Sequence, residues 1–99
     1  MTAPARADID ACLAYIAREA GLDIALRFAD DIDAELSRLA WIGHSGASRE
    51  WLSPGLRLHV LGNYCIYFRV TPTETRIIRF LHGAMDISRL SFDDTSSNP

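Results

Sequence analysis

Ninety-nine residues leave room for one domain around one core, and 48% hydrophobic against 23% charged residues is an ordinary globular balance. A domain of this size buries only about 60 to 65% of the surface its unfolded chain exposes, so a partner's surface would add considerably to its stability. The formal charge is −3 and all ten basic residues are arginine, which excludes a broad basic face for nucleic acid and leaves only a local arginine cluster for such a contact.

Thr2, Pro4 and Asp8 supply an N-cap, a proline that a first helical turn tolerates, and a carboxylate near the positive end of the helix. Ile9, Cys12, Leu13, Ile16 and Ala20 then recur at three and four residues, and Gly21 stands where a left-handed residue commonly ends a helix. The spacing predicts a first helix over 4–20. Asp23 suits the N-cap of a second, longer helix with an apolar stripe at Ala25, Phe28, Ile32, Leu36 and Leu39, ending before Gly43. Arg27, Asp30, Asp31, Asp33, Glu35 and Arg38 fill its other face. So short a joint makes the helices an antiparallel hairpin, with both stripes turned to a shared surface that something else must cover.

Gly, Ser and Pro are frequent from Gly43 to Gly55, which predicts an irregular loop with Trp51 as its anchor. LRLHVL and YCIYFRV on either side of Gly62 and Asn63 read as two strands around a hairpin turn. Thr71 to Glu74 makes the next turn and TRIIRFLH the third strand. Helix, helix, strand, strand, strand is an α+β order with an antiparallel sheet, in a single domain over 1–99. Spacing leaves the hairpin register open. A two-residue turn groups Leu56, Leu58 and Val60 with Cys65, Tyr67 and Arg69, and Arg57 and His59 with Tyr64, Ile66 and Phe68; a three-residue turn reverses this. GAMDISRL after His82 holds a single helical turn capped by Asp86, and 91–99 reads as a frayed polar tail.

Cys12 and Cys65, one in a helical and one in a strand pattern, have a spacing that suits neither a metal site nor a redox pair, so both are expected to be packed. Neither metal nor cofactor is expected. No apolar run nears the roughly 18 residues of a membrane span, and the first residues lack the basic-then-apolar order of a signal peptide. A cytoplasmic protein without membrane contact is the expectation.

Three stretches carry a resemblance: ARADIDACLAYIAREAG, LRLHVLGNYCIYFRV and IIRFLHGAMDISRL. Together they resemble the ParE branch of the RelE/ParE toxins over nearly the whole chain. No one motif is as specific as a zinc-ligand pattern; the ordered combination is what carries the likeness. It implies a two-helix hairpin on a three-stranded antiparallel sheet, or a four-stranded one with a short N-terminal strand. It implies the toxin of a type II toxin–antitoxin pair, neutralised by a cognate ParD-like antitoxin whose helices lie in apolar grooves. DNA gyrase is the target the resemblance implies. Relatives normally open with a strand, and only Met1 and Thr2 precede the first helix here, so either the true start lies further upstream or the sheet has a bare edge that invites another chain.

RelE-like relatives cut mRNA on the ribosome, with lysines before the hairpin and an arginine just after it. Aligned through Gly62-Asn63-Tyr64, this chain has Leu56, Leu58 and Cys65 at those places. Cleavage by a 2′-hydroxyl needs a base, an acid and positive charge around the phosphate, none of which leucine supplies. Inhibition by noncovalent binding is therefore expected. The alternative is an mRNA endonuclease using His82, Arg79, Tyr67 and Glu50, and a third reading is a non-toxic copy that only holds its antitoxin.

Arg57, Arg69 and Arg79 on neighbouring strands either gather into a cationic patch or serve the fold through nearby acids. With His82, Met85, Asp86 and Arg89 they form the candidate target-binding set. His82 has a plainer reading too, as the residue that ends the last strand and holds the turn into Gly83. His59 is read as packing or a partner contact, and His44 lies in the loop without a companion. Trp41, Ile42, Trp51, Leu52, Leu56, Leu58 and Val60 are the candidate antitoxin-binding set, since tryptophan either anchors interfaces or lids a small core. Met85, Ile87, Leu90 and Phe92 have little core left to reach and suit a target-binding segment, or else a short helix docked on the sheet.

Overall fold

A computed structural model describes residues 1–42 and 46–92. Helix α1 runs Ala3–Ala20 and α2 Leu22–Ile42, followed by β1 Ala47–Ser48, β2 Arg57–Leu61, β3 Tyr64–Val70 and β4 Thr75–His82. Thr2 caps α1 as expected: its hydroxyl accepts the Ala5 N–H at 3.0 Å. One residue, Gly21 at φ +101°, separates the helices; there an L side chain would be strained. Gly21 closes both ends, its N–H bonding Ala17 O and its carbonyl accepting from Ala25 N, each at 3.2 Å. Asp23 is therefore not the cap of α2 but a first-turn carboxylate beside the helix's positive end.

The sheet has four antiparallel strands in the order β1-β2-β3-β4. Its fourth strand is not N-terminal; it comes from the segment expected to be loop, where Ala47 and Ser48 pair with Leu58 and Arg57. Gly46 makes this possible, because a Cβ there would stand 2.6 Å from the Leu58 carbonyl oxygen. Gly43, His44 and 45, as well as 93–99, lie outside the described residues, so the unpartnered His44 and most of the expected tail fall there.

Leu61 pairs with Tyr64, which settles the hairpin on the two-residue turn. Ile66, Phe68, Ile77 and Phe80 consequently face the helices and pack with Ala5, Ile9, Cys12, Ile32 and Leu39. A register shift between Tyr67 and Phe68 pairs them with Arg79 and Ile77, leaving Ile78 as the extra residue. This bulge lets Ile77 and Phe80, three apart, share the helix side, while Ile78 and Leu81 face the other way.

That other face forms a second core of Leu56, Tyr67, Ile78, Leu81 and Phe92, with Leu52, Leu58, Cys65, Ile87 and Leu90 packed against it. Two expectations change accordingly. Leu56, fully buried, and Leu52 anchor the connection, whereas Trp51 is 75% exposed. Phe92 is buried and belongs to the second core, so the frayed tail does not begin at 91. The Asp86 cap is present as a turn: its carboxylate accepts the Ser88 N–H at 2.9 Å and sits below its ordinary pKa for that reason.

The outer edge of β4 is not bare. Thr2 N donates to Ile77 O at 2.9 Å, the buried Thr2 hydroxyl to Ile78 O at 2.7 Å, and Phe80 N to the Asp8 carboxylate at 3.0 Å. Thr2, just before α1, and Asp8, within it, thus satisfy backbone groups along this edge.

Candidate functional site

Asp8, read from sequence as a helix-end charge, has a larger role. It accepts Arg79 Nε at 2.7 Å and a second guanidinium nitrogen at 2.9 Å, a fork that raises the Arg79 pKa and joins α1 to β4. Arg57 donates to Gly46 O at 2.8 Å, and Arg69 to Pro54 O at 2.9 Å and to the Ser53 hydroxyl. Arg57 and Arg69 therefore pin the two ends of the 46–55 connection, from opposite faces of the sheet. The three arginines serve three separate places, which is the structural one of the two readings; Arg79 does so through an acid, Arg57 and Arg69 through backbone carbonyls.

The alternative catalytic set is likewise dispersed. Tyr67 is buried on the second face with its ring 4.7 Å from that of Phe92, and burial pushes its hydroxyl pKa up. Arg79 points to Asp8 on the helix side, although it pairs with Tyr67 in the sheet. Glu50 takes the Gly55 N–H across its own turn. His82 ends β4, where its Nδ1 accepts the Ala84 N–H at 3.1 Å while Gly83 N donates to Asn63 O at 2.8 Å. That is the plainer reading of His82, and it puts the proton of a neutral ring on Nε2.

His82 also borders a concavity of about 550 Å³ between α1 and the end of the sheet. Asp8, Ala11, Cys12 and Tyr15 form its helical wall, Asn63 and Tyr64 its turn, and Phe80, Leu81, His82 and Met85 the remainder. Tyr64 is the centre of the aromatic floor, stacked on Phe80 at 5.1 Å and edge-on to His82 at 5.3 Å. A hydrogen bond with Cys12, helped by burial, pushes the Tyr64 pKa up to about 12, and burial raises that of Cys12. The wall is mostly apolar, and its one carboxylate, Asp8, is already paired with Arg79. It suits a side chain of a protein partner better than a phosphate.

Sequence reasoning missed Tyr15, Asn63 and Tyr64. A signal existed for one of them: Asp8, Ala11, Cys12 and Tyr15 repeat at three and four residues, a second stripe beside the core stripe of α1. Asn63 and Tyr64 come close to α1 only through the sheet.

Large apolar side chains are exposed outside this concavity as well. Trp41 is 90% exposed, Trp51 75%, Val60 59% and Ile42 50%. Neither tryptophan is a lid on the core. Leu56 and much of Leu58 and Leu52 are taken up by the second core, so of the candidate antitoxin set only these four present large apolar surface. Of the candidate target set, Met85, Asp86, Arg89 and His82 are exposed. Among the described residues no group of His, Cys, Asp and Glu is placed to hold a metal ion, and no helix is long and apolar enough to cross a membrane.

A family model described as the ParE toxin of the type II toxin–antitoxin system parDE matches residues 1–87. No curated protein matches. A solved structure titled as the chromosomal ParDE toxin–antitoxin system from P. aeruginosa superposes with a TM-score of 0.71 at 30% identity, covering 82% of this chain and 89% of that one. The two-helix hairpin on an antiparallel sheet is shared with that structure, and residues 1–87 reach from the Thr2 cap to the turn after His82; the chain belongs to the family of ParE toxins of type II toxin–antitoxin systems.

Proposed function

We propose that this chain acts by noncovalent binding, that a ParD-like antitoxin neutralises it in the cytoplasm, and that DNA gyrase is its target. The observation that carries the reading is the pair of exposed tryptophans. Trp41 and Trp51 add nothing to a core already closed by other residues, and aromatic side chains left in water on a folded domain are favoured interface anchors. Support for a binding mode comes also from the dispersal of the acid–base groups over two faces and a loop, which leaves a phosphodiester without a base and acid placed together. The structurally similar protein is titled as part of a ParDE toxin–antitoxin system, and this chain is read by analogy with it.

Trp41, Ile42, Trp51 and Val60 are the antitoxin contacts in this reading, and His82, Met85, Asp86 and Arg89 face gyrase. Two assays test it. Purified chain is titrated with the product of the small gene beside its own, and gyrase supercoiling is followed with and without that product. Binding that weakens at least 30-fold in Trp41→Ala, about 2 kcal/mol, is expected from an anchor of this kind. Supercoiling should be inhibited by the free chain and restored by the antitoxin. An unaffected gyrase, or message cut by the purified chain, would remove the target and mechanism.

A further inference from the structure

The two faces of the sheet are covered in different ways. Helices α1 and α2 cover one, tied to the sheet by Asp8 to Arg79, Thr2 to Ile78 and Glu35 to His59. The other is covered by the 46–55 connection and by residues 84–92, which contain turns but neither helix nor strand. The 84–92 segment leaves the sheet at Gly83, and several of its turn bonds are internal or reach back to the end of β4: Ala84 and Met85 to His82, Ser88 to Asp86, Leu90 to Ile87. Three side chains, Ile87, Leu90 and Phe92, bring it onto the second core, while Met85, Asp86, Ser88, Arg89 and Ser91 are exposed.

We propose that residues 84–92 are a displaceable strap, and that a polypeptide partner exchanges with it by placing an aromatic or branched apolar side chain on Tyr67 where Phe92 sits in the free chain. The strap's own sequence states what the face accepts: apolar side chains spaced two or three residues apart on an otherwise polar segment. Beyond the strap the same face continues through Leu58 to the exposed Val60, so an incoming segment has an open apolar foothold before any ring must move. Arg49 acts electrostatically on both Cys65 and Tyr67, so a carboxylate beside the incoming apolar residues is favoured. That the partner is the antitoxin rests on the function proposed above; that the strap opens does not. Opening of a segment this small is a local event, distinct from loss of the helix-side core.

The test compares two thiols in one molecule. A chain carrying Ile78→Cys, Ile66→Cys, Cys12→Ala and Cys65→Ser holds one thiol in the second core and one in the helix-side core; the native residues are 1% and 0% exposed. Labelling by a maleimide is read by mass spectrometry and divided by each site's rate in denaturant. At least tenfold faster relative labelling at position 78 is expected. Equal relative rates would mean that the segment opens only with the whole fold, which overturns the strap. Leu81→Cys, on the same face, replaces the first reporter if that variant does not fold. In the second arm, Phe92→Ala with a native circular dichroism spectrum should bind the antitoxin several-fold more tightly than wild type, because no ring has to leave. Weaker binding overturns the exchange. An antitoxin that binds neither chain overturns the partner, and the thiol ratio then decides the strap by itself.

Discussion

The helix side of the sheet and its opposite face bury residues of the same kinds, yet they are closed by different means. Phe68, fully buried, lies under two helices of 18 and 21 residues whose positions are also held by hydrogen bonds and ion pairs. Phe92 is almost as buried but belongs to irregular chain, which lays its ring on the sheet. Burial alone therefore does not rank the two faces; what matters is how many other contacts must break before a side chain reaches water.

Removing equal rings is the most direct way to break this comparison. Phe68→Ala should cost about 3–5 kcal/mol of global stability, because the cavity it leaves is walled by regular elements that cannot collapse into it. Phe92→Ala should cost about 2 kcal/mol or less, since the strap can move away instead of leaving a void. Urea denaturation followed by circular dichroism measures both; equal losses would make the two faces one cooperative unit.

The ties on the helix side come next. Asp8→Ala strands the Arg79 cation, which is mostly buried, and leaves Phe80 N without its acceptor. A loss of about 2–3 kcal/mol is expected in the same assay, with Asp8→Asn recovering part of it through the Phe80 bond. Thr2→Val keeps the shape and removes the hydroxyl that serves both Ala5 N and Ile78 O. About 1–2 kcal/mol should go, and hydrogen exchange at the start of α1 should rise before exchange elsewhere.

The smallest effect belongs to Glu35, which links α2 to His59 of β2 at 2.5 Å and to Arg38. Arg38 first and His59 second hold the Glu35 carboxyl below its ordinary pKa. The unfolded chain then binds that proton more readily than the folded one, so this stabilisation is complete above the unfolded value of about 4.3 and is lost as pH falls through the folded value. Glu35→Gln should flatten the fall in urea midpoint between about pH 5 and about pH 3, by less than about 1 kcal/mol because the pair is partly open to solvent. An unchanged slope would show that the tie between α2 and β2 is not electrostatic.

Much of the fold was legible because its signals are local. Apolar spacing located both helices, β-branched and aromatic runs located three strands, and the Thr2 cap and Asp86 turn depend on residues two or three apart. Less of the candidate surfaces was legible. Trp41 and Trp51 could be named as either anchors or lids, and only the packed chain exposes them. Arg57, Arg69 and Arg79 could be read as a patch or as structural pins, because strand neighbours are close but pleat and bulge turn adjacent residues to opposite faces.

By itself the sequence determined an α+β chain with a helical hairpin, an antiparallel sheet and the likeness to ParE toxins, all of which are written in the spacing, composition and order of its segments. Tertiary structure alone decided the two-residue hairpin turn, the bulge at Ile78, the short strand at Ala47–Ser48, the pairing of Asp8 with Arg79 and the second core closed by Phe92. The reason is sequence separation: Asp8 and Arg79 lie 71 residues apart, and no local preference specifies which distant partner a carboxylate or a ring will meet once the sheet has formed.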